Sequence, residues 1–374
     1  MKHILLGYTF SLLLIACTAE EDIGNAPSGG GQQPVLLQPN FYTGQPSTRA
    51  TKGIVNGLEA FGGTHTPGKI STVMLYVTKT DGHIVYPGVE DDTTDDLVAG
   101  LSLFKATGGG TLKWEGKPAV NLYNEQARVF AFSPSDATFV ASTSNEANHK
   151  ITGVNIPAAM TFGADELDCN TIDYLYGSGS GEVGTSSEIL VSNATSGNNT
   201  FKPDIHLQHA LAQIVFKLQT TSGRPVTEYD FVKSIKLEAT EAFLTGENGA
   251  MQIADGTISG LSSASTLTLT PSANPVSCGN NGQGNIVAYG LVAPIASAPS
   301  SVTLTITLSK KEDNTNRREL SVTSTNFNVK WEKGKRYVYN LTLSDRSIVP
   351  DQMEIKEWTN SASGTGTLEP DLKN

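Results

Sequence analysis

The sequence has little cysteine, little basic charge and no long hydrophobic run, and each shortage excludes a class of protein. Three cysteines in 374 residues are too few for a disulfide-based scaffold. Lys and Arg number 26 against 37 Asp and Glu, which gives a net charge of −11, so no basic surface and no nucleic-acid partner are expected. The apolar stretch at residues 4–15 is shorter than the ~20 residues that a membrane-spanning helix needs.

Catalytic signatures are also missing. The sequence contains no HExxH, GxSxG or Walker motif and no complete dinucleotide-binding fingerprint. His206 and His209 are the one close pair among six scattered histidines, but on a strand a spacing of three places side chains on opposite faces, which does not suit a shared metal. The acidic cluster at residues 91–96 lacks the EF-hand spacing and is expected to be an exposed loop. We therefore expect neither an enzyme nor a bound metal or cofactor.

The amino terminus has the pattern of a lipoprotein signal peptide at residues 1–17. A basic start, a short apolar core and small residues before Cys17 are typical of a secretory signal that is removed. Cleavage before a cysteine predicts a lipid on the Cys17 thiol, which would anchor the protein in the outer membrane. An ordinary signal peptide with a chance cysteine is the alternative. Three acids at residues 20–22 resemble the surface-export signal of Bacteroidetes lipoproteins, although a solvated acidic linker has the same composition.

The two remaining cysteines are Cys169 and Cys278, which are 109 residues apart (278 − 169). An oxidising compartment would allow them to pair, but disulfide geometry cannot be judged from sequence. Two free thiols are the expected state, and a disulfide between them is the alternative.

Alternating patterns predict an all-β fold with two tandem antiparallel β-sandwich domains. Apolar residues occupy every second position at residues 210–218 and 302–308, as expected for strands with one buried face. No stretch shows a sustained helical period. A polar bridge at residues 192–200 is the predicted domain boundary. The expected parts are, in chain order, the signal peptide 1–17, a tether and removable strand 18–49, an N-terminal domain 50–196 and a C-terminal domain 197–374.

An apolar patch interrupts the polar tether. It consists of Val35, Leu36 and Leu37 followed by Phe41 and Tyr42, whereas Gly, Ser, Pro and Gln dominate the residues before it, as in flexible linkers. A pure linker has no use for these side chains. We therefore expect the patch to pack against the folded part of the chain.

Five short phrases resemble, in order and spacing, the fimbrillins of Bacteroidetes type V pili, the FimA/Mfa-like family. Together they cover about residues 110–358, and the lipoprotein leader fits the same family. The phrases are RVFAFSP at 128–134, DYLYG at 173–177, LQHALAQIVFKL at 207–218, WEKGKRYVYNLTL at 331–343 and IKEW at 355–358.

The resemblance implies transthyretin-like sandwiches and a structural role as a subunit of a surface fimbrium that supports adhesion. In this family the subunit reaches the surface as a lipoprotein, an arginine-specific protease removes its leader, and subunits polymerise by strand exchange. Other fimbrial subunits, the outer membrane and that protease are therefore the expected partners. The acidic insert at 91–96 and the tail at 360–374 depart from the family pattern, which leaves the stalk, tip and anchor roles open.

Arg49 is the predicted cleavage site, with Ala50 as the new amino terminus. Arg49 is the only arginine before Arg128, and it lies in a polar stretch of the kind that proteases choose. Lys52 is a nearby alternative, and a solvated linker arginine without a role remains open. Cleavage there would release the apolar patch, which gives Val35, Leu36, Leu37, Phe41 and Tyr42 the role of a temporary plug strand.

The replacement strand is expected to come from the C-terminal segment of a neighbouring subunit, as the family resemblance implies. In this chain that segment falls within residues 347–368. Met353 and Ile355 alternate with charged residues and are the predicted donor side chains. Trp358 breaks the alternation, so either a bulge intervenes or the inserted register lies further along.

A surface glycan-binding lipoprotein is the alternative function. The three tryptophans, Trp114, Trp331 and Trp358, could form an aromatic platform for sugar rings. Aromatic residues in sandwich domains are more often part of the core, and their exposure decides between the two readings.

Overall fold

The computed structural model describes eighteen stretches of the chain, and the statements below refer to them. These are residues 35–43, 70–79, 85–86, 100–107, 113–122, 126–142, 148–164, 168–178, 189–192, 200–201, 203–221, 229–280, 284–299, 301–310, 319–325, 327, 329–344 and 347–358. They form strands, turns and isolated 3₁₀ residues, with no α-helix. None of these stretches therefore contains a helix that could cross a membrane.

Fifteen strands lie before residue 210 in the described part of the chain. They are β1 (Val35–Leu37), β2 (Asn40–Thr43), β3 (Thr72–Lys79), β4 (Val85–Tyr86), β5 (Leu101–Thr107), β6 (Lys113–Lys117), β7 (Asn121–Leu122), β8 (Gln126–Ser133), β9 (Thr138–Val140), β10 (Lys150–Ile156), β11 (Ala159–Phe162), β12 (Leu175–Ser178), β13 (Ile189–Ser192), β14 (Thr200–Phe201) and β15 (Asp204–His209).

Eleven further strands follow. They are β16 (Ala212–Thr220), β17 (Phe231–Gln252), β18 (Ile258–Ser259), β19 (Ser262–Pro271), β20 (Val276–Ser277), β21 (Gly279–Asn280), β22 (Asn285–Val292), β23 (Thr303–Ser309), β24 (Glu319–Thr325), β25 (Lys335–Leu343) and β26 (Ile348–Glu357).

The first large sheet has the order β2-β15-β12-β8-β3-β5-β6, with β13 paired to β8 and β4 paired to β3. Alternation explains its packing, because Val73, Leu75 and Val77 of β3 are fully buried and point to one face. A three-stranded sheet, β14-β1-β7, lies beside it. Side chains from both sheets form one buried cluster that includes Leu37, Phe104 and Leu122.

The second large sheet is built around β17, a strand of 22 residues. Its order is β11-β19-β17-β10-β9, and β18, β20 and β23 also pair with β17. In β23 the buried Leu304, Ile306 and Leu308 alternate with partly exposed threonines, so this strand has the one buried face that its sequence predicts. The register of β17 against β19 shifts between Glu238 and Phe243, and near this point the partner on the other edge of β17 changes from β23 to β10.

The fourth sheet has β16 at its centre. β22 and β21 pair with one edge of β16, β25 pairs with the other, and β26 follows β25 as the outer strand. Residues 212–216 of β16 are all buried, including Gln213, because both faces of this strand are covered. The strict alternation read from residues 210–218 therefore underestimates the burial of the strand.

The all-β prediction is confirmed, since the described residues form four sheets and no α-helix. Most strand pairs are antiparallel, but five are parallel: β1–β14, β2–β15, β11–β19, β16–β21 and β16–β25.

The domain limits and the two-sandwich arrangement stay predictions. Strands from one side of the expected boundary at residues 196 and 197 pair with strands from the other side. β10 and β11, which precede the boundary, pair with β17 and β19, which follow it. β15, which follows the boundary, pairs with β12 and β2, which precede it. The sheets are thus shared between the two halves of the chain.

Candidate functional site

The first N-terminal strand, β1, is part of the core rather than a surface addition. It pairs in parallel with β14 and antiparallel with β7, and the Leu37 N–H donates a hydrogen bond to the Val120 carbonyl at 2.9 Å. Leu37 is 1% exposed and Leu36 is partly buried. Val35 takes part in the ladder opposite Leu122.

The second N-terminal strand, β2, closes the edge of the first large sheet through Phe41. The ring of Phe41 is 3% exposed. It meets the indole of Trp114 edge-on, with ring centroids 4.7 Å apart, and the ring of Phe104 at 6.0 Å. Burying Phe41 and Leu37 contributes ~1.5–3 kcal/mol each, so these two side chains alone stabilise the packing of this segment by several kcal/mol.

The backbone of β2 pairs with one strand only. Phe41 lies opposite Ile205 and Tyr42 opposite His206 in a parallel ladder with β15. Outside that ladder, the Asn40 side-chain amide donates to the Asp204 carboxylate at 3.0 Å, and this contact is exposed. Parallel pairing is slightly less stable per residue than antiparallel pairing. β2 is therefore a core-filling strand held by a comparatively weak ladder. We call β1 and β2 together the N-terminal strands.

Three predicted site residues lie outside the described part of the chain. These are Cys17, the expected lipidation site, and Arg49 and Ala50, the expected cleavage site. The described chain ends at Thr43, the last residue of β2, and begins again at Ile70. Arg49 thus falls in the segment that joins β2 to the rest of the sheet.

The predicted donor segment occupies a place in the subunit's own sheet. β26 pairs antiparallel with β25, with Met353 opposite Tyr339 and Ile355 opposite Tyr337. Both tyrosines are buried, and residues paired across a ladder point to the same face. Met353 and Ile355 therefore lie on the core-facing side at the edge of the sheet, where Met353 is partly buried and Ile355 is 52% exposed.

A register irregularity divides β26. It lies opposite the step from Tyr339 to Leu341. Beyond it, the buried Ile348 pairs with the buried Leu343, whereas Val349 pairs with Thr342 and is 50% exposed. The core-facing positions thus change from odd to even numbers within the strand. The irregularity is not beside Trp358, where the sequence pattern fails; Trp358 directly follows the strand.

Trp358, at the end of β26, stacks on a buried histidine that is hydrogen-bonded to a buried aspartate. Its indole lies parallel to the ring of His209, with centroids 3.7 Å apart and an interplanar angle of 8°. His209 Nδ1 lies 2.9 Å from a carboxylate oxygen of Asp173, and all three residues are buried. We call Asp173, His209 and Trp358 the His209 cluster. It joins the DYLYG, LQHALAQIVFKL and IKEW phrases, which the sequence separates by up to 185 residues (358 − 173).

The sequence of residues 82–358 matches the model of the fimbrillin-like family. This match covers more than half of the chain. The chain belongs to the fimbrillin-like family.

Solved structures with similar folds were also found for this fimbrillin-like chain, while no curated protein matches it. A fimbrial protein from Bacteroides vulgatus is 14% identical with a TM-score of 0.49, and the alignment covers 83% of this chain and 100% of that one. A putative cell adhesion protein from Bacteroides uniformis is 12% identical with a TM-score of 0.47, over 87% and 98% of the two chains. The fimbrial anchor protein Mfa2 from Porphyromonas gingivalis is 13% identical with a TM-score of 0.35, also over 87% and 98%.

The tryptophans of the fimbrillin-like chain do not form an exposed platform. Trp114, Trp331 and Trp358 are all buried. The Trp331 indole N–H donates to the Tyr339 hydroxyl at 2.8 Å, and both side chains are buried, so this pair is fixed within the core. Stacking of sugar rings on any of the three would require the core to open. The tryptophans therefore no longer support the glycan-binding alternative.

The cysteines and histidines considered in the sequence analysis lie within or beside the strands and do not form a reactive or metal-binding group among the described residues. Cys169 and Cys278 are buried and are not joined by a disulfide, and burial raises the pKa of the Cys169 thiol to about 12, which suppresses the reactive thiolate. His206 is partly exposed whereas His209 is buried, as expected for opposite faces of β15. Among the described residues no group of three or more His, Cys, Asp or Glu could hold a metal ion.

Proposed function

We propose that this chain is a structural subunit of a surface fimbrium that assembles by strand exchange after proteolytic cleavage at Arg49. The family match supports the fimbrial role. The subunit would travel as a lipoprotein attached through Cys17 to the outer membrane, and its partners would be other fimbrial subunits and an arginine-specific protease.

The observation that carries the proposal is the burial of Leu37 and Phe41 in strands that precede Arg49. These side chains complete the cluster around Trp114 and Phe104, yet only the segment 44–69 joins them to the next described strand. A cut after Arg49 would separate the N-terminal strands from the rest of the chain, so that this part of the core would become a peptide held only by non-covalent contacts. Its departure would leave an apolar groove and the unpaired edge of β15, which a strand from another subunit could fill.

The donated strand would come from β26, with Met353 and Ile355 as its inserted side chains. β26 is the outer strand of its sheet, paired with β25, and leaves half of the Ile355 surface uncovered, so among the described strands of that sheet it can leave without separating two others. An unpaired edge is normally a hazard, and β26 carries Pro350, Asp351 and Lys356, residue types that discourage uncontrolled pairing.

Deletion of the chain from Ser347 onward is not a clean test of the donor role. Ile348 and Trp358 are buried and β26 pairs with β25, so the deletion would remove a strand from the subunit's own sheet and would not leave a normally folded monomer. A point change at the exposed Ile355 avoids this problem.

Processing at Arg49 is tested by comparing Arg49→Ala with Lys52→Ala in cells that make the fimbrium. Arg49→Ala should retain residues 18–49 and remain monomeric, whereas Lys52→Ala should mature and form detergent-resistant multimers. Multimers of the Arg49→Ala subunit in wild-type amounts would overturn the proposal.

The donor role is tested by comparing Ile355→Asn with Lys356→Asn, a matched polar change at the neighbouring exposed position. Both variants should fold, because both side chains are exposed in the subunit. Ile355→Asn should be cleaved but fail to elongate, since the joint would bury an amide among apolar groups. Equal elongation of the two variants would exclude Ile355 as an inserted side chain.

A further inference from the structure

The His209 cluster ties the end of the C-terminal strand to the first large sheet. His209 is the last residue of β15 and Trp358 directly follows β26. The two parallel rings, 3.7 Å apart, are therefore a direct contact between the sheet that holds β2 and the sheet that holds β26. Asp173 pairs with the other side of His209 through the 2.9 Å contact to Nδ1 and fixes the orientation of the ring.

Backbone hydrogen bonds also hold Trp358 close to β15. The Trp358 N–H donates to the Gly334 carbonyl at 2.9 Å, and the Gly334 N–H donates to the Leu211 carbonyl at 2.9 Å. Gly334 has a φ of +68°, a conformation that glycine adopts without strain. Trp358 is thus connected to residues 209–211 twice, once through its ring and once through this turn.

The indole nitrogen of the cluster is left without a hydrogen bond within the described part of the chain. The Trp358 indole nitrogen Nε1 is buried and has no hydrogen-bond partner among the described residues. Burying a donor without a partner costs free energy, and this cost partly offsets the free energy gained by stacking on His209. The stack should therefore open easily when the strand that carries His209 is less well held.

That support depends on β2. β15 has β12 on one side and β2 on the other: Leu175 of β12 lies opposite His209, and β2 pairs with residues 204–207. Removal of β2 would leave β15 as an edge strand with one partner. The residue at its end, His209, is the one on which Trp358 rests.

We propose that the His209 cluster is a latch that couples the occupancy of the β2 position to the release of β26. With β2 in place, β15 is paired on both edges and the stack keeps β26 in its own sheet. When β2 is absent, β15 loosens, the stack opens and β26 becomes free to move. The coupling deepens the proposed function, on which it rests, by making a subunit ready to donate its C-terminal strand only after its plug has left.

Hydrogen exchange tests the latch. It is measured by mass spectrometry on peptides from β15 and β26, in the chain that lacks the signal peptide but is not cleaved at Arg49. Phe41→Ala weakens β2, and Trp358→Ala removes the stack. Both should speed exchange in β26 by about two- to tenfold, the scale of a lost aromatic contact. In the double variant, Phe41→Ala should add nothing further in β26. Trp358→Phe keeps a stacked ring and removes the orphan N–H, so its β26 should exchange no faster than the wild type.

Two controls separate the latch from general loss of stability. Asn40→Ala removes an exposed contact of β2 and should leave β26 unchanged. Phe162→Ala opens the core beneath β11, in another sheet, and should not accelerate β26 selectively. If Phe41→Ala does not fold, Phe41→Leu provides the milder change.

The coupling is overturned if Phe41→Ala speeds exchange in β15 but not in β26, or if the effects of the Phe41 and Trp358 changes on β26 multiply independently. These measurements are made on uncleaved monomer. Failure of cleavage or of polymerisation would therefore refute the proposed function while leaving the exchange result to stand or fall alone.

Discussion

The ring of Phe41 lies edge-on to the indole of Trp114, with centroids 4.7 Å apart and planes at 72°. Edge-to-face geometry of this kind adds to the free energy of simple area burial. One partner precedes the proposed cleavage site and the other follows it by 65 residues (114 − 49). The contact therefore connects two parts of the chain: the N-terminal segment, which we propose is released, and the core, which remains.

Phe41→Ala should lower the free energy of unfolding of the uncleaved chain by ~3 kcal/mol or more, because the change leaves a cavity beside Trp114 and Phe104. Urea denaturation of the purified chain measures this. Asn40→Ala is the control, since the hydrogen bond of Asn40 is exposed and its loss should cost no more than ~0.5 kcal/mol. Equal midpoints for the two variants would mean that Phe41 does not stabilise the subunit.

Local alternation allowed part of the fold to be predicted. β23 follows the pattern at residues 302–308, because it has one buried and one partly exposed face over most of its length. Which strands pair could not be read this way. The parallel ladder between β1 and β14 joins residues 164 positions apart (200 − 36), and nothing in either short sequence specifies the other.

The His209 cluster was likewise beyond the sequence pattern. His209 and Trp358 stood in two of the family phrases, but a lone histidine at the end of a strand gives no signal of its partner. Burial of Asp173 was equally unexpected, since carboxylates are rarely inside unless paired. The spacing argument did separate His209 from His206, and the different burial of these residues agrees with it.

His149 gives the chain a defined sensitivity to acid. The ring is buried among Tyr76, Phe130 and Phe139, and its Nδ1 accepts a hydrogen bond from the Ser142 N–H at 2.9 Å. Removal from water disfavours the charged imidazolium and lowers the pKa of His149 from 6.5 to about 4.

Stability should therefore fall as the pH drops from about 6.5 to about 4. In this window the unfolded chain binds a proton at His149 and the folded chain does not, so acid favours unfolding. His149→Gln can keep an acceptor for the Ser142 N–H and does not titrate. Unfolding free energies measured at several pH values should show a smaller loss in this window for His149→Gln than for the wild type; parallel pH profiles would rule out His149 as the cause.

Cys17→Ser should prevent lipidation and keep the precursor away from the cell surface, because the serine hydroxyl cannot form the thioether. Metabolic labelling with a clickable fatty acid, followed by surface protease treatment, measures both effects. Cys169→Ser is the control for thiol loss, since that thiol is buried and unreactive. Surface-exposed Cys17→Ser protein in normal amounts would contradict the lipoprotein assignment.

The central claim is that the N-terminal strands leave the subunit before it is built into a fibre. The amino-terminal sequence of the subunit in purified fimbriae tests it most directly. Our account predicts that the chain in the fibre begins at Ala50, without Leu37 and Phe41. A fibre subunit that still carries residues 18–49 would contradict it.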